Sequence, residues 1–407
     1  MLDGRQGGSR SPSLAMICAA LALCACGTSH ASDAGLGRDA GPPPPPPTRI
    51  VDILFVVENA GGVTEEEWSL WAELPRFMDI LMTGDFDQDG DGHGDGEIDD
   101  EDFPAVTSLQ IGMVSTDMGT GGFTGPTCAR ADFGDDGILQ SRGRTDLDGC
   151  LANYPRFLSW RPTPPLSSSE FARDVGCVLI GLGTDGCGFE QQLEATLKAI
   201  SPSGPTSYTA DDFVPPTFFR NTSGHADTSN DGFLREDSLL AVVMLTGEDD
   251  CSASDPELFN PDSTAYGRTD LNLRCYAHAD AALHPIERYV DGLLGVRRHP
   301  SRLVFGVIAG IPTDLVDPPG AAIDWDRLIS EDLALRDRRM QERIDPAMPS
   351  RLIPSCNVPG RGQAFPPVRI LRVARGLEAR GARVSVGSQC QESFRAPMAA
   401  IIEQLVR

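Results

Sequence analysis

Ile50-Val51-Asp52-Ile53-Leu54-Phe55-Val56-Val57-Glu58-Asn59-Ala60-Gly61-Gly62 is the stretch whose reading decides the fold. Of its first eight residues only Asp52 is polar, and most of the rest are β-branched or aromatic. A continuous apolar run closed by a glycine pair suits a strand buried on both faces of a parallel sheet. Thr64 then opens a helical segment, with Glu67 three residues on to complete a capping box. Trp68, Leu70 or Trp71, Leu74, Phe77, Met78 and Leu81 recur at helical spacing, with a kink expected at Pro75. Buried strand, glycine turn and amphipathic helix together open a doubly wound α/β domain. In such folds the crevice at the carboxyl end of the strands is the usual ligand site.

Outward from this stretch the alternation continues. Ser108–Thr116, Ala241–Leu245, Leu303–Ile311 and Arg383–Val386 read as further strands. Ser167–Ile200, interrupted between Gly181 and Gly188, reads as helical, as do Pro285–Leu294, Pro367–Ala379 and Phe394–Leu405. The charged segment Glu331–Arg343 reads as a solvated helical face, and the stretch from Asp117 to Trp160 as Gly-rich loop. No second apolar nucleus is set apart by a linker. The expectation is one domain over residues 49–407, with a mostly parallel three-layer sheet, an acidic insertion at 84–103 and disulfide-stapled loops.

At these residues the chain resembles the von Willebrand factor A domain family. That family's first strand typically ends in Asp-x-Ser-x-Ser, whose oxygens hold a divalent cation in the metal-ion-dependent adhesion site. The matching positions here are Glu58, Ala60 and Gly62, so one carboxylate remains and both hydroxyls are gone. The family's later aspartate is here Gly247, which leaves Ser115, Thr116, Glu248, Asp249 and Asp250 as the nearest substitutes. The residues therefore argue against a second divalent ion at this degenerate site. Ile111–Gly119, Cys187–Ala195 and Gly232–Ala241 resemble exported von Willebrand factor A-type lipoproteins of myxobacteria and their relatives.

Residues 1–25 read as a signal peptide: Arg5 and Arg10 precede the apolar run Leu14–Ala25, which is too short to span a membrane as a mature helix. Leu23-Cys24-Ala25-Cys26-Gly27 resembles the bacterial lipobox, which would make Cys26 the lipidated first residue of the mature chain. Gly27 after it resembles lipoproteins passed to an outer membrane or the cell surface. Residues 26–48 end in the prolines Pro42–Pro47 and read as a stiff tether. With 59 acidic against 34 basic residues, a formal charge of −25, the chain repels nucleic acid and anionic surfaces and favours cations.

Eight cysteines follow Cys26: Cys128, Cys150, Cys177, Cys187, Cys251, Cys275, Cys356 and Cys390. An even number in an exported chain without a Cys-x-x-Cys pair implies disulfides rather than zinc. Nearest-neighbour pairing is the expectation: Cys128–Cys150, Cys177–Cys187, Cys251–Cys275 and Cys356–Cys390.

The strongest chemical signal is the acidic run from Asp85 to Asp102. Closely spaced carboxylates repel, and calcium takes six to eight oxygens from such alternating positions. One twelve-residue frame begins at Asp91 and uses His93, Asp95, Gly96, Asp99 and Asp102. A second begins at Asp87, uses Asp89, Asp91, Gly92 and Asp95, and resembles thrombospondin type 3 repeats. The expected calcium ligands are Asp87, Asp89, Asp91, Asp95, Asp99 and Asp102.

For catalysis, the chain contains no Gly-x-Ser-x-Gly elbow, His-Glu-x-x-His pair or Gly-x-x-x-x-Gly-Lys loop. The reading is a non-enzymatic, calcium-binding, surface-anchored module that takes a protein or polysaccharide ligand, with the membrane reached through its lipid. Two rivals are a metal-dependent hydrolase using Glu58, Asp249 and Asp250, and a purely structural envelope lipoprotein.

Overall fold

The computed structural model describes residues 48–62, 64–86, 102–128, 130–163, 166–318, 320–359 and 362–406. Cys26, the tether through Pro47 and the calcium candidates Asp87, Asp89, Asp91, Asp95 and Asp99 lie outside the described residues.

In chain order the elements are β1 (Ile50–Val57), α1 (Thr64–Thr83), β2 (Ser108–Ser115), β3 (Leu158–Trp160), α2 (Ser168–Gly181), α3 (Gln192–Ile200) and β4 (Leu239–Thr246). There follow the short helices α4 (Arg274–Ala277) and α5 (Ala279–Ala282), then α6 (Ile286–Gly295), β5 (Leu303–Ala309) and α7 (Trp325–Ile329). The chain closes with the hairpin β6 (Cys356–Val358) and β7 (Gly362–Ala364), then α8 (Val368–Ala379), β8 (Arg383–Ser388) and α9 (Arg395–Val406).

Six strands form one α/β sheet in the order β3-β2-β1-β4-β5-β8. All its pairings are parallel except β2 with β3. Along β1, Val51, Ile53, Phe55 and Val57 pack towards α1, α2 and α9, while Leu54 and Val56 pack towards α3, α6 and α8. Both faces are therefore covered, which is why β1 needs an apolar residue at nearly every position. Asp52 is the exception and is fully buried. It accepts from Arg235 N (2.8 Å) and Arg235 Nε (2.7 Å) and from the Ser238 hydroxyl, with Arg297 beside it at 3.8 Å.

Local chemistry departs from the sequence expectation in three places. Thr64 is already the first residue of α1, and Glu67 is buried there with Oε1 unpartnered. Glu331–Arg343 is not a helix but loop with one 3-10 turn, Arg338–Met340. Asp332 and Asp337 accept from the backbone N–H two residues on, at Ala334 and Arg339, and such local bonds compete with helix. The third departure is β3, three residues long inside the stretch read as Gly-rich loop.

Two of the four expected disulfides form, Cys251–Cys275 and Cys356–Cys390. The other two pairs are nested rather than sequential: Cys128–Cys187 encloses Cys150–Cys177. Cys177 on α2 belongs to the sheet-facing core with Cys150 packed against it, whereas Cys187 and Cys128 share a separate cluster with Phe189, Leu258 and Phe259. Cys177 and Cys187 are neighbours in sequence but face different cores. That second cluster covers the loops beyond the carboxyl ends of the strands.

Candidate functional site

The strand order reverses at β1, whose neighbours are β2 on one side and β4 on the other. Chain connections leave that point in opposite directions and open a crevice beyond the strand ends. A cavity of about 1030 Å³ lies there, lined among others by Glu58, Gly61, Glu190, Glu248, Asp249, Asp250, Tyr276, His284 and Arg369.

Glu58 directly follows β1 and is 4% exposed. Its Oε2 accepts from Thr246 Oγ1 (2.8 Å) and Gly247 N (2.7 Å), which fastens β1 to β4 at their ends. Gln192 Nε2 donates to the same Thr246 hydroxyl at 2.8 Å, joining α3 to the network. Burial, reinforced by the neighbouring charge of Glu248, pushes the Glu58 carboxyl up to about 7. Glu190, 3% exposed, is raised well above the ordinary carboxylate range by burial and by the charges of Glu248 and Glu58. Glu248 is open to the cavity but walled by protein, and burial raises it too. Glu67, in the first turn of α1, is pushed up to about 8 by burial and then by the charge of Glu58.

The two aspartates after Glu248 do different work. Asp249 accepts from Arg369 N at 3.0 Å with both oxygens and so caps α8, whose own N-cap residue, Pro367, makes no side-chain bond. Asp250 accepts from Leu193 N (2.9 Å), Ser252 Oγ (2.6 Å) and Arg369 Nε (3.2 Å), and Ser252 Oγ accepts Glu194 N at 3.0 Å. Together Asp250 and Ser252 cap α3, where Gln191 makes no cap of its own. Asp249 and Asp250 line the cavity with Glu58, but their oxygens are engaged in helix caps. The convergent acids are Glu58, Glu190 and Glu248, with Glu67 behind them. Sequence reasoning missed Glu190 and took Glu67 for a cap, because neither spacing nor motif distinguishes a buried acid from a solvated one.

The substitutes for the adhesion-site ligands do not assemble. Ser115 Oγ donates to Asp135 Oδ2 at 2.5 Å, and Thr116 is fully buried with its hydroxyl unpartnered. A Cβ at Gly247 would stand 3.0 Å from Gln389 Nε2, the tip of a flexible side chain, and 3.7 Å from Gln363 O. Among the described residues no group of three or more His, Cys, Asp or Glu side chains is gathered as metal ligands. The ligand set of the resembled family, one carboxylate with two hydroxyls and a later aspartate, is not present at Glu58, Ala60, Gly62 and Gly247. Of the calcium candidates, Asp102 alone is described, and its Oδ1 accepts Phe86 N at 2.8 Å across the base of the acidic insertion.

Buried acceptors without partners gather at the same end of the sheet. Asn59 Oδ1, Thr116 Oγ1 and Gln389 Oε1 each stand just beyond a strand, and Gln192 Oε1 and Glu67 Oε1 each in the first turn of a helix. Unsatisfied buried oxygens are costly. Among the described residues no helix is long and apolar enough to cross a membrane. Comparison with models of known families, with curated proteins and with solved structures gives no match.

Proposed function

We propose that the protein is a non-enzymatic ligand-binding module, von Willebrand factor A-like in its doubly wound sheet, which takes a protein or polysaccharide ligand in the crevice between β1 and β4. The observation that carries this reading is the 1030 Å³ cavity at the reversal of strand order, with Glu58, Glu190 and Glu248 in its lining. The strand order and the helices on both faces support the family reading. Helix-capping roles for Asp249 and Asp250 weigh against the hydrolase alternative. In the same proposal the chain is exported, anchored by lipid on Cys26 to the outer membrane or cell surface, and stabilised by calcium in the acidic insertion.

Gly61 supplies the test. It lines the cavity, a Cβ added there meets no atom within 4 Å, and its backbone is outside the left-handed region. Gly61→Trp should fill the crevice while leaving the melting temperature within a few degrees of wild type. Envelope material captured by the wild-type chain should then be lost. Capture that survives Gly61→Trp would place binding elsewhere, and turnover of substrates that disappears in Glu58→Gln would restore the hydrolase.

A further inference from the structure

Lys198, on α3, is fully buried. A lysine stem is long enough to carry its ammonium to water, and ordinarily does so. Here Nζ is instead 2.5 Å from Asp136 Oδ1 and donates to Thr222 Oγ1 at 3.0 Å. The rings of Phe133 and Phe218 flank it, each with its centroid 5.6 Å away. His225 Nε2 lies 3.0 Å from Asp136 Oδ2, so one carboxyl oxygen meets an amine and the other an imidazole. None of these residues lines the cavity. Backbone strain converges on the same group. Among the described residues, the non-glycine positions with left-handed backbone are Asp136 (φ 56°), Arg220 (φ 51°) and Asn221 (φ 58°). The first is the carboxyl partner of Lys198, and the other two lead into Thr222. Such conformations are costly for a residue with a Cβ, and they gather where the surroundings hold groups in place for a purpose.

We propose that Lys198 and Asp136 condense into an intramolecular amide, a covalent cross-link between α3 and the loop after β2. The bond from Nζ to Asp136 Cγ forms, the Cγ–Oδ2 bond breaks and one water leaves. Nothing is oxidised or reduced, and no co-reactant enters. The pair begins as ammonium and carboxylate. One proton passes from Nζ to Oδ1 within their hydrogen bond, in surroundings that penalise separated charges, and leaves a neutral amine beside a neutral acid. The amine then attacks Cγ. Its second proton is relayed by His225 to Oδ2, which departs as water with the proton first taken by Oδ1, and the third stays on the amide nitrogen. Holding amine and carboxyl in contact removes the bimolecular encounter that such a condensation otherwise needs. The link spans a sequence separation of 62 residues and, unlike the four disulfides, no reductant undoes it.

The experiment is mass spectrometry of the full chain after reduction, alkylation and digestion with trypsin. The peptide 131–142, which carries Asp136, should be found joined to 174–220, with no cleavage after Lys198. The joined species should be lighter than the sum of the two by the mass of one water. Lys198→Arg keeps a cation for Asp136 but no competent nucleophile, so it should return 131–142 alone at its full mass, with a melting curve to verify folding. His225→Gln, sampled at intervals after translation, should join about tenfold or more slowly than wild type. An unchanged rate in that variant overturns the imidazole relay. Separate wild-type peptides at their full masses would leave an ion pair only and overturn the cross-link. Water lost from 131–142 alone, with normal cleavage after Lys198, would place the loss in cyclisation of Asp136 onto the Gly137 nitrogen and overturn it equally.

Discussion

Glu58 joins two strand ends through Oε2 and still lies beside two other acids, so its proton is part of the fold. A carboxyl raised from 4.5 to about 7 keeps its proton in the folded form after the unfolded chain has lost it. The folded state then binds more protons between those values, and stability falls as pH rises through that window. Glu67, raised to about 8, extends the decline by another unit. Thermal melts should therefore drop between about pH 5 and pH 8. Glu58→Gln keeps an oxygen for Thr246 and Gly247 without the charge. At pH 8 it should be more stable than wild type by on the order of 1–3 kcal/mol, and close to it at pH 5. A wild type that gains stability over the same range would show that these carboxyls are ionised throughout. Asp52 is the opposite case, a buried acid with its cations in place. Arg235→Met should cost about 3–5 kcal/mol in denaturant unfolding, because it strands that charge.

At the scale of elements, the loop after β4 explains why acids cluster there. Helices α3 and α8 both start without a side-chain cap of their own, and Asp250 and Asp249 supply the missing acceptors from across the crevice. Asp250→Ala frees the N-terminus of α3 and leaves Arg369 short of a partner, so it should cost about 2–4 kcal/mol. Asp249→Asn keeps a competent cap and removes a carboxyl that burial raises to about 8, so its unfolding midpoint should stay within about 1 kcal/mol of wild type. Equal losses in the two variants would contradict these roles. The central strands were legible in sequence because burial on both faces demands an unbroken apolar run. Strand β3 has three residues, too few for any period, and the Glu331–Arg343 segment failed because aspartate side chains satisfied its backbone locally. The crevice was legible from Glu58 and Glu248, at the ends of two apolar runs. Glu190 and Glu67 gained their role from tertiary approach alone, which no spacing encodes.

Across the whole molecule, the nested disulfides tie the loops between β2 and α3 to two different cores. Sequence proximity favoured Cys177 with Cys187, but helix α2 turns the first towards the sheet and the chain beyond carries the second into the loop cluster. Non-reducing peptide mapping should return Cys128–Cys187 and Cys150–Cys177. Replacing both Cys128 and Cys187 by Ala releases a loop of 59 residues' separation, and should cost about 4 kcal/mol if the unfolded-chain account holds. The acidic insertion makes a separate claim: calcium should raise the melting temperature of wild type, and much less that of Asp89→Asn/Asp91→Asn, by the linkage of binding to folding.

The claim most central to this account is that the crevice between β1 and β4 is where the ligand binds. It is tested by capture of envelope material with the wild-type chain and with Gly61→Trp, each checked by its melting temperature. The account predicts capture by wild type and its loss in a folded Gly61→Trp. Capture that survives in that variant would contradict it and place binding elsewhere.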